Sequence, residues 1–243
     1  MNPDNIYNQL KKLLAKSGGN FNILEEQIDV DLQVEFFEMI NKLKKDNDLD
    51  LEDLSIIEKK LYDKEISVEE KKKILAKISD LEEEPEAYRI IERFVDTKDV
   101  GIDQWATLAL QHSRINLESH FLDEQQVFIS TGLGGKEEKL RYFIVCKIKE
   151  GKDISDAQKK IVETEFEEVF KRHNSVIEKI SNCDNYFSVL GLIPIDISIN
   201  EVIKAAIDES NNYGDFIHAK FLVTNVKVLQ KNEIEKYFKK LGI

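Results

Sequence analysis

Apolar residues recur at helical spacing throughout the first half of the chain. Ile6, Leu10, Leu13 and Leu14 predict a helix that Gly18-Gly19 stops. A second helix begins near Asp31 and carries Leu32, Phe36, Met39, Ile40 and Leu43 on one side, and the acidic stretch Asp46–Asp53 then reads as a connector. Leu54, Ile57 and Leu61 start a third. Ser67-Val68-Glu69-Glu70 has the spacing of a capping box, in which the serine accepts from the third residue's amide and Glu70 reaches back. The helix it opens carries Ile74, Leu75, Ile78 and Leu81. Pro85 stands in a first turn, where its missing N–H costs nothing, and Ile90, Ile91, Phe94 and Val95 follow it. After Gly101 the most apolar helix of this half runs through Trp105, Leu108, Ala109, Ile115, Leu117 and Phe121.

The pattern changes at Asp123-Glu124. QQVFIST (125–131) and LRYFIVCKI (140–148) are β-rich runs joined by GLGGKEEK, which predicts a β-hairpin with a long connection. Gly151 breaks the chain, and a long amphipathic helix is expected over Asp153–Ser181, with Ile154, Ala157, Ile161, Val169, Phe170, Val176, Ile177 and Ile180 on its apolar side. Tyr186–Ile197 reads as a strand, with Pro194 at an edge or an end. Ser198-Ile199-Asn200-Glu201 repeats the capping-box spacing before a helix through Val202, Ile203, Ala206 and Ile207. In the strand Ile217–Leu229, residues Ile217, Ala219, Phe221 and Val223 face one way, His218 and Lys220 the other. A last helix carries Ile234, Tyr237, Phe238 and Leu241.

These elements predict an α+β chain: an all-helical part over 1–124, then an α/β part over 125–243 in the order β-β-α-β-α-β-α, with a mixed sheet of about four strands. The helices near 52–63, 67–81, 85–96 and 102–121 form two antiparallel pairs with a period of roughly thirty-five to forty residues. EAYRIIERFV followed by DQWATLALQHSRINLESHF resembles a HEAT-type repeat, over about residues 52–121. An irregular helical bundle is the alternative. The resemblance implies an architecture and no substrate.

Charge divides along the same line. Residues 1–124 hold 17 Lys and Arg against 29 Asp and Glu, whereas residues 125–243 hold 18 of each, so the whole net charge of −12 lies in the first half. Such a field repels phosphate backbones, and direct nucleic-acid binding by that half is not expected. No apolar run approaches the length of about eighteen residues that a membrane span needs. The N-terminus has no secretory pattern, and Cys146 and Cys183 make no disulfide framework, so a cytoplasmic protein with reduced cysteines is expected.

Candidate chemistry is sparse. A phosphate-binding loop needs a glycine separated by four residues from a Gly-Lys pair, and Ser or Thr after it. Around Gly132, Gly134, Gly135 and Lys136 those places hold Ser130 and Glu137. A hairpin tip, or a mobile loop meeting an anion or a partner, remains. Asp46, Asp48 and Asp50 begin like a calcium loop, but Leu51 and Ile57 stand where Gly and Glu are required. His112, Asn116 and His120 share a helix face without metal-ligand spacing, and His112, Ser113 and Glu118 are no triad on sequence proximity alone. Trp105, His112 and Arg114 either line a cleft or, for Trp105, anchor the core. No catalytic residue, metal site or cofactor is assigned.

The function expected from these features is a non-enzymatic interaction or adaptor protein with a protein partner, basic in character, and no membrane association. The alternative is a small-molecule-binding protein or enzyme with its site where the halves meet, near Trp105, Arg114 and the Gly132–Lys136 loop. A third reading is association with ribonucleoprotein through Lys136, Lys139 and Arg141.

Overall fold

The computed structural model describes residues 21–45, 53–122, 126–149, 154–183 and 185–243. The expectations for Ile6–Leu14, Gly18-Gly19, the aspartates at 46, 48 and 50, and Gly151 lie outside them. The chain divides into two compact units, one containing Ile28–Phe128 and the other Ile23–Gln27 with Ile129–Ile243.

The helical unit is built from α1 (Val30–Lys45), α2 (Leu54–Tyr62), α3 (Val68–Ser79), α4 (Pro85–Val95) and α5 (Asp103–Leu122). Three of them begin at a start signal in the sequence. Asp53 accepts from the Ser55 amide at the head of α2, Ser67 accepts from the Glu70 amide at α3, and Pro85 opens α4. Helices α3, α4 and α5 pack on one another, with α1 against α3 and α5. Phe36, Leu75, Ile90, Ile91 and Trp105 are all buried in the unit.

The sheet unit follows. Strand β1 (Phe21–Ile23) pairs with β2 (Val127–Ile129) in a separate two-stranded sheet, of which only Ile23 and Ile129 are counted in this unit. This corrects the expected hairpin, because the first β-rich run does not pair with the second. The hairpin partner is instead β3 (Gly135–Lys136), a piece of the glycine loop that pairs with the start of β4 (Lys139–Ile148) through a tight turn at Glu137-Glu138. Beyond β4 come α6 (Asp156–Arg172), β5 (Val176–Cys183), β6 (Tyr186–Pro194), α7 (Ile199–Asn211), β7 (Ile217–Thr224) and α8 (Lys231–Leu241). Every pairing in the main sheet is antiparallel, in the order β5-β6-β4-β7, so the expected mixed sheet is corrected. From β4 to β7 the order is the split β-α-β-β-α-β arrangement of ferredoxin-like folds.

The long helix expected over Asp153–Ser181 stops at Arg172. His173 caps it, Asn174 takes a left-handed φ of 51°, and the chain returns as β5. Val176, Ile177 and Ile180 fit one helix face and one strand edge about equally, and β-branching favours the strand. The helix buries Val162, Phe166, Val169 and Phe170, while Ala157 is exposed.

One face of the sheet, through Ile144, Cys146, Phe187, Val189 and Ile217, packs under α6 and α7. The opposite face, through Phe143, Val145 and Tyr186, packs under Ile234 and Phe238 of α8 and against Leu133. Strand β6, central and covered on both sides, is buried along nearly its whole length. No helix among the described residues is long and apolar enough to cross a membrane.

Candidate functional site

Trp105, His112 and Arg114 all lie on α5, in the helical unit, and do different things. Trp105 is 1% exposed; its Nε1 donates to the Lys72 carbonyl at 3.0 Å, and its ring meets Phe36 edge-on. It is a core anchor. Arg114 is exposed, and its Nε donates to Glu118 Oε1 at 2.8 Å, one turn along the same helix. The other Glu118 oxygen accepts from Asn22, so Glu118 is not oriented toward a triad with His112.

His112 belongs to a polar cluster that joins three helices. Its Nε2 faces Asp80 Oδ1 at 3.0 Å, and Lys44 Nζ reaches the same oxygen at 2.9 Å. Asn116 donates to the Ser79 carbonyl beside them, and the rings of Phe36 and Phe37 stand edge-on to the imidazole. Burial pushes the Asp80 carboxyl up. Hydrogen bonds from His112 and Lys44 outweigh that push and hold its pKa below the ordinary carboxylate value. A histidine held by a carboxylate is half of a general-base arrangement, but the hydroxyl next in sequence, Ser113, is fully buried with its Oγ unpartnered. The cluster ties α1, α3 and α5 together.

The glycine loop is packed, not open. A Cβ on Gly132 would lie 1.9 Å from the Val226 carbonyl oxygen, and one on Gly134, at φ +67°, would lie 2.4 Å from that of Glu25. Leu133 between them is 2% exposed. Its amide donates to the Asn225 carbonyl, and that of Gly134 to Thr131. Gly135 is buried within β3, and only Lys136 of the group is exposed. These backbone groups are spent on the protein itself. Arg141 is equally engaged, gripping Glu178 through two nitrogens and the Leu133 carbonyl at 2.7 Å, while Lys139 sits 3.8 Å from Glu137.

A second group of cations lies where β4 meets β7. Cys146 pairs with Phe221 and Ile148 with Ile217, so a single residue of β4, Lys147, stands opposite three of β7: His218, Ala219 and Lys220. This bulge collects cations on the α8 face of the sheet. Lys147 Nζ lies 5.4 Å from the centroid of the Phe238 ring, and Lys220 Nζ donates to the Leu241 carbonyl at 2.7 Å. Lys149, just past the strand, bonds Asp215. His218 lies among these lysines. Its pKa is lowered, first by burial and then by repulsion from Lys147, Lys149 and Lys220, with Asp215 pulling the other way. Helix α8 adds exposed Lys236, Lys239 and Lys240, with Glu235 as its exposed acid.

Like charges on neighbouring strands work against a sheet, and bulges are used to re-aim side chains at working sites. The arrangement therefore brings like charges together at a cost to the fold. The outward positions of His218 and Lys220 were readable from strand alternation. Their meeting with Lys147 and Lys149 was not, because it depends on which strand pairs with β4.

No protein-family model and no curated protein matches the chain. Among solved structures, a candidate transposase from Deinococcus radiodurans R1 is similar at 14% identity and a TM-score of 0.38, over 44% of this chain and 93% of that one. A REP-associated tyrosine transposase bound to a REP hairpin is similar at 8% identity and a TM-score of 0.33, over 44% of this chain and 70% of that one. These are transposases and not adaptors. The expectation of a non-enzymatic adaptor working through a protein partner, with direct nucleic-acid binding by the first half not expected, finds no counterpart among these structures and is not kept.

Proposed function

We propose that the sheet unit binds nucleic acid through its phosphate backbone, at the cluster formed by Lys147, Lys149, His218 and Lys220. The observation that supports this reading is the β4–β7 bulge, which sets Lys147 against His218 and Lys220, with Lys149 just past the strand and one carboxylate, Asp215, acting on the histidine. Two of the lysines are anchored at α8, by the Phe238 ring and the Leu241 carbonyl. Held this way, they lose less side-chain freedom on binding than free surface lysines would. Phosphate contacts of this kind provide affinity and orientation without reading sequence. The REP hairpin belongs to the transposase that binds it, and the proposal here stands on the lysines.

The test is fluorescence anisotropy with a labelled oligonucleotide at several salt concentrations. Three phosphate contacts predict that log K falls against log salt with a slope of about −2 to −3. Lys147→Glu combined with Lys220→Glu should abolish binding while the protein still unfolds cooperatively. Binding that survives this double reversal, with an unchanged salt slope, would exclude the site.

A further inference from the structure

Resting on that reading, we infer that nucleic-acid binding at this site is coupled to proton uptake by His218, so that the site grips more tightly as the solution becomes more acidic. The argument begins from placement. The bulge sets His218 across from Lys147, and its own strand brings Lys220 two residues away on the same face. The charged groups acting on the imidazole are Lys147 from β4, Lys149 just past its end, Lys220 from β7 and Asp215 from the turn before it. Helix α8, which covers this face, offers a ring and a carbonyl that fasten Lys147 and Lys220 in place. The lysines therefore cannot simply swing away from a protonated imidazole.

In the free protein, three ammonium groups oppose a fourth positive charge at His218, and one carboxylate offsets them only in part. Phosphates seated on those lysines would supply the missing negative charge. Protonation of the imidazole then becomes more favourable in the complex than in the free protein. Linkage is reciprocal, so a ligand that favours the protonated form is bound more tightly by it. The sign follows: affinity is lowest at high pH, where His218 is neutral in both states, and rises as pH falls through the bound-state pKa. Each unit by which binding raises that pKa makes the low-pH affinity about tenfold higher than the high-pH affinity.

The experiment is anisotropy with a fluorescein-labelled oligothymidylate between about pH 5 and pH 8 at constant ionic strength, a range in which histidine is the side chain that titrates. It is paired with NMR titration of the His218 ring protons with and without the oligonucleotide. Wild type should bind about tenfold more tightly at the acidic end, and the His218 midpoint should move up on binding. His218→Gln should bind at the wild-type high-pH level throughout, with a flat profile. His173→Gln, on a histidine whose Nδ1 bonds the Val169 carbonyl within α6, should keep the wild-type profile. A flat wild-type profile, or a slope that persists in His218→Gln, overturns the coupling while leaving the nucleic-acid reading intact. Absence of binding at every pH overturns both.

Discussion

The two units use the same residue types in opposite ways. In the helical unit a lysine and a histidine converge on one carboxylate oxygen of Asp80, and the cluster holds three helices together. In the sheet unit three lysines and a histidine gather at a bulge, with Asp215 bonded to only one of them. The first arrangement satisfies its charges internally and has nothing left for a ligand. The second pairs only Lys149 with a carboxylate, Asp215, and meets Lys147 and Lys220 with a ring and a carbonyl, groups that fix a position without neutralising it. Charge balance within a cluster, more than the presence of histidine or lysine, separates a fastener from a candidate binding site.

The comparison can be broken or sharpened by mutation. The largest effect should separate the packing of the sheet unit from its charge. Gly132→Ala drives a methyl group into the Val226 carbonyl and should cost about 3 kcal/mol in urea unfolding. Such a loss would mark the glycine loop as structural, whereas a neutral outcome would reopen it as a mobile, ligand-facing loop. Next, Asp80→Ala leaves Lys44 and His112 facing a void and should cost about 2 kcal/mol. Lys147→Gln, by contrast, should change stability by no more than about 0.5 kcal/mol, since it removes a repulsion along with its contacts. If Lys147→Gln destabilised the protein as much as Asp80→Ala, the two clusters would not differ in kind.

Acid provides a finer test. The folded pKa of Asp80 lies below its unfolded value, so its contribution to stability is complete above about pH 4. It is lost as pH falls through the lower folded value. Asp80→Asn should flatten the acid limb of the unfolding curve, and an unchanged limb would argue that Asp80 gains nothing from its partners. The smallest effect is expected at Arg114, an exposed residue paired along its own helix, where Arg114→Ala should shift stability by less than about 0.5 kcal/mol. A larger loss would give that pair a role the geometry does not assign it.

Much of the helical unit was legible in advance. Asp53, Ser67 and Pro85 mark helix starts by local chemistry that needs no distant partner. The apolar faces at Phe36, Ile74-Leu75 and Ile90-Ile91 also lie where a helical period places them. Local signals failed where two structures share one pattern. Val176, Ile177 and Ile180 suited a helix face until Asn174 turned the chain, and Ser198 has the capping-box spacing without making the side-chain bond. The candidate site was less legible still. Trp105, His112 and Arg114 look like a polar group along one helix, yet one is a core anchor, one a fastener between helices and one a surface ion pair. Lys136, Lys139 and Arg141 look like available cations, but the latter two stand beside Glu137 and Glu178.

By itself the sequence determined the class of each well-marked element, the alternation that turns His218 and Lys220 away from Ile217 and Phe221, and the concentration of acid in the first half. These follow from periods of 3.6 and 2 and from composition, which are properties of neighbours along the chain. Only the tertiary structure decided that Val127–Ile129 pairs with Phe21–Ile23, that Gly132 and Gly134 are closed in by backbone, and that Lys147 meets His218 and Lys220 at a bulge. Each of those outcomes depends on contacts between residues far apart in sequence. Strand pairing and register choose them, and alternation along one strand carries no information about which strand will lie beside it.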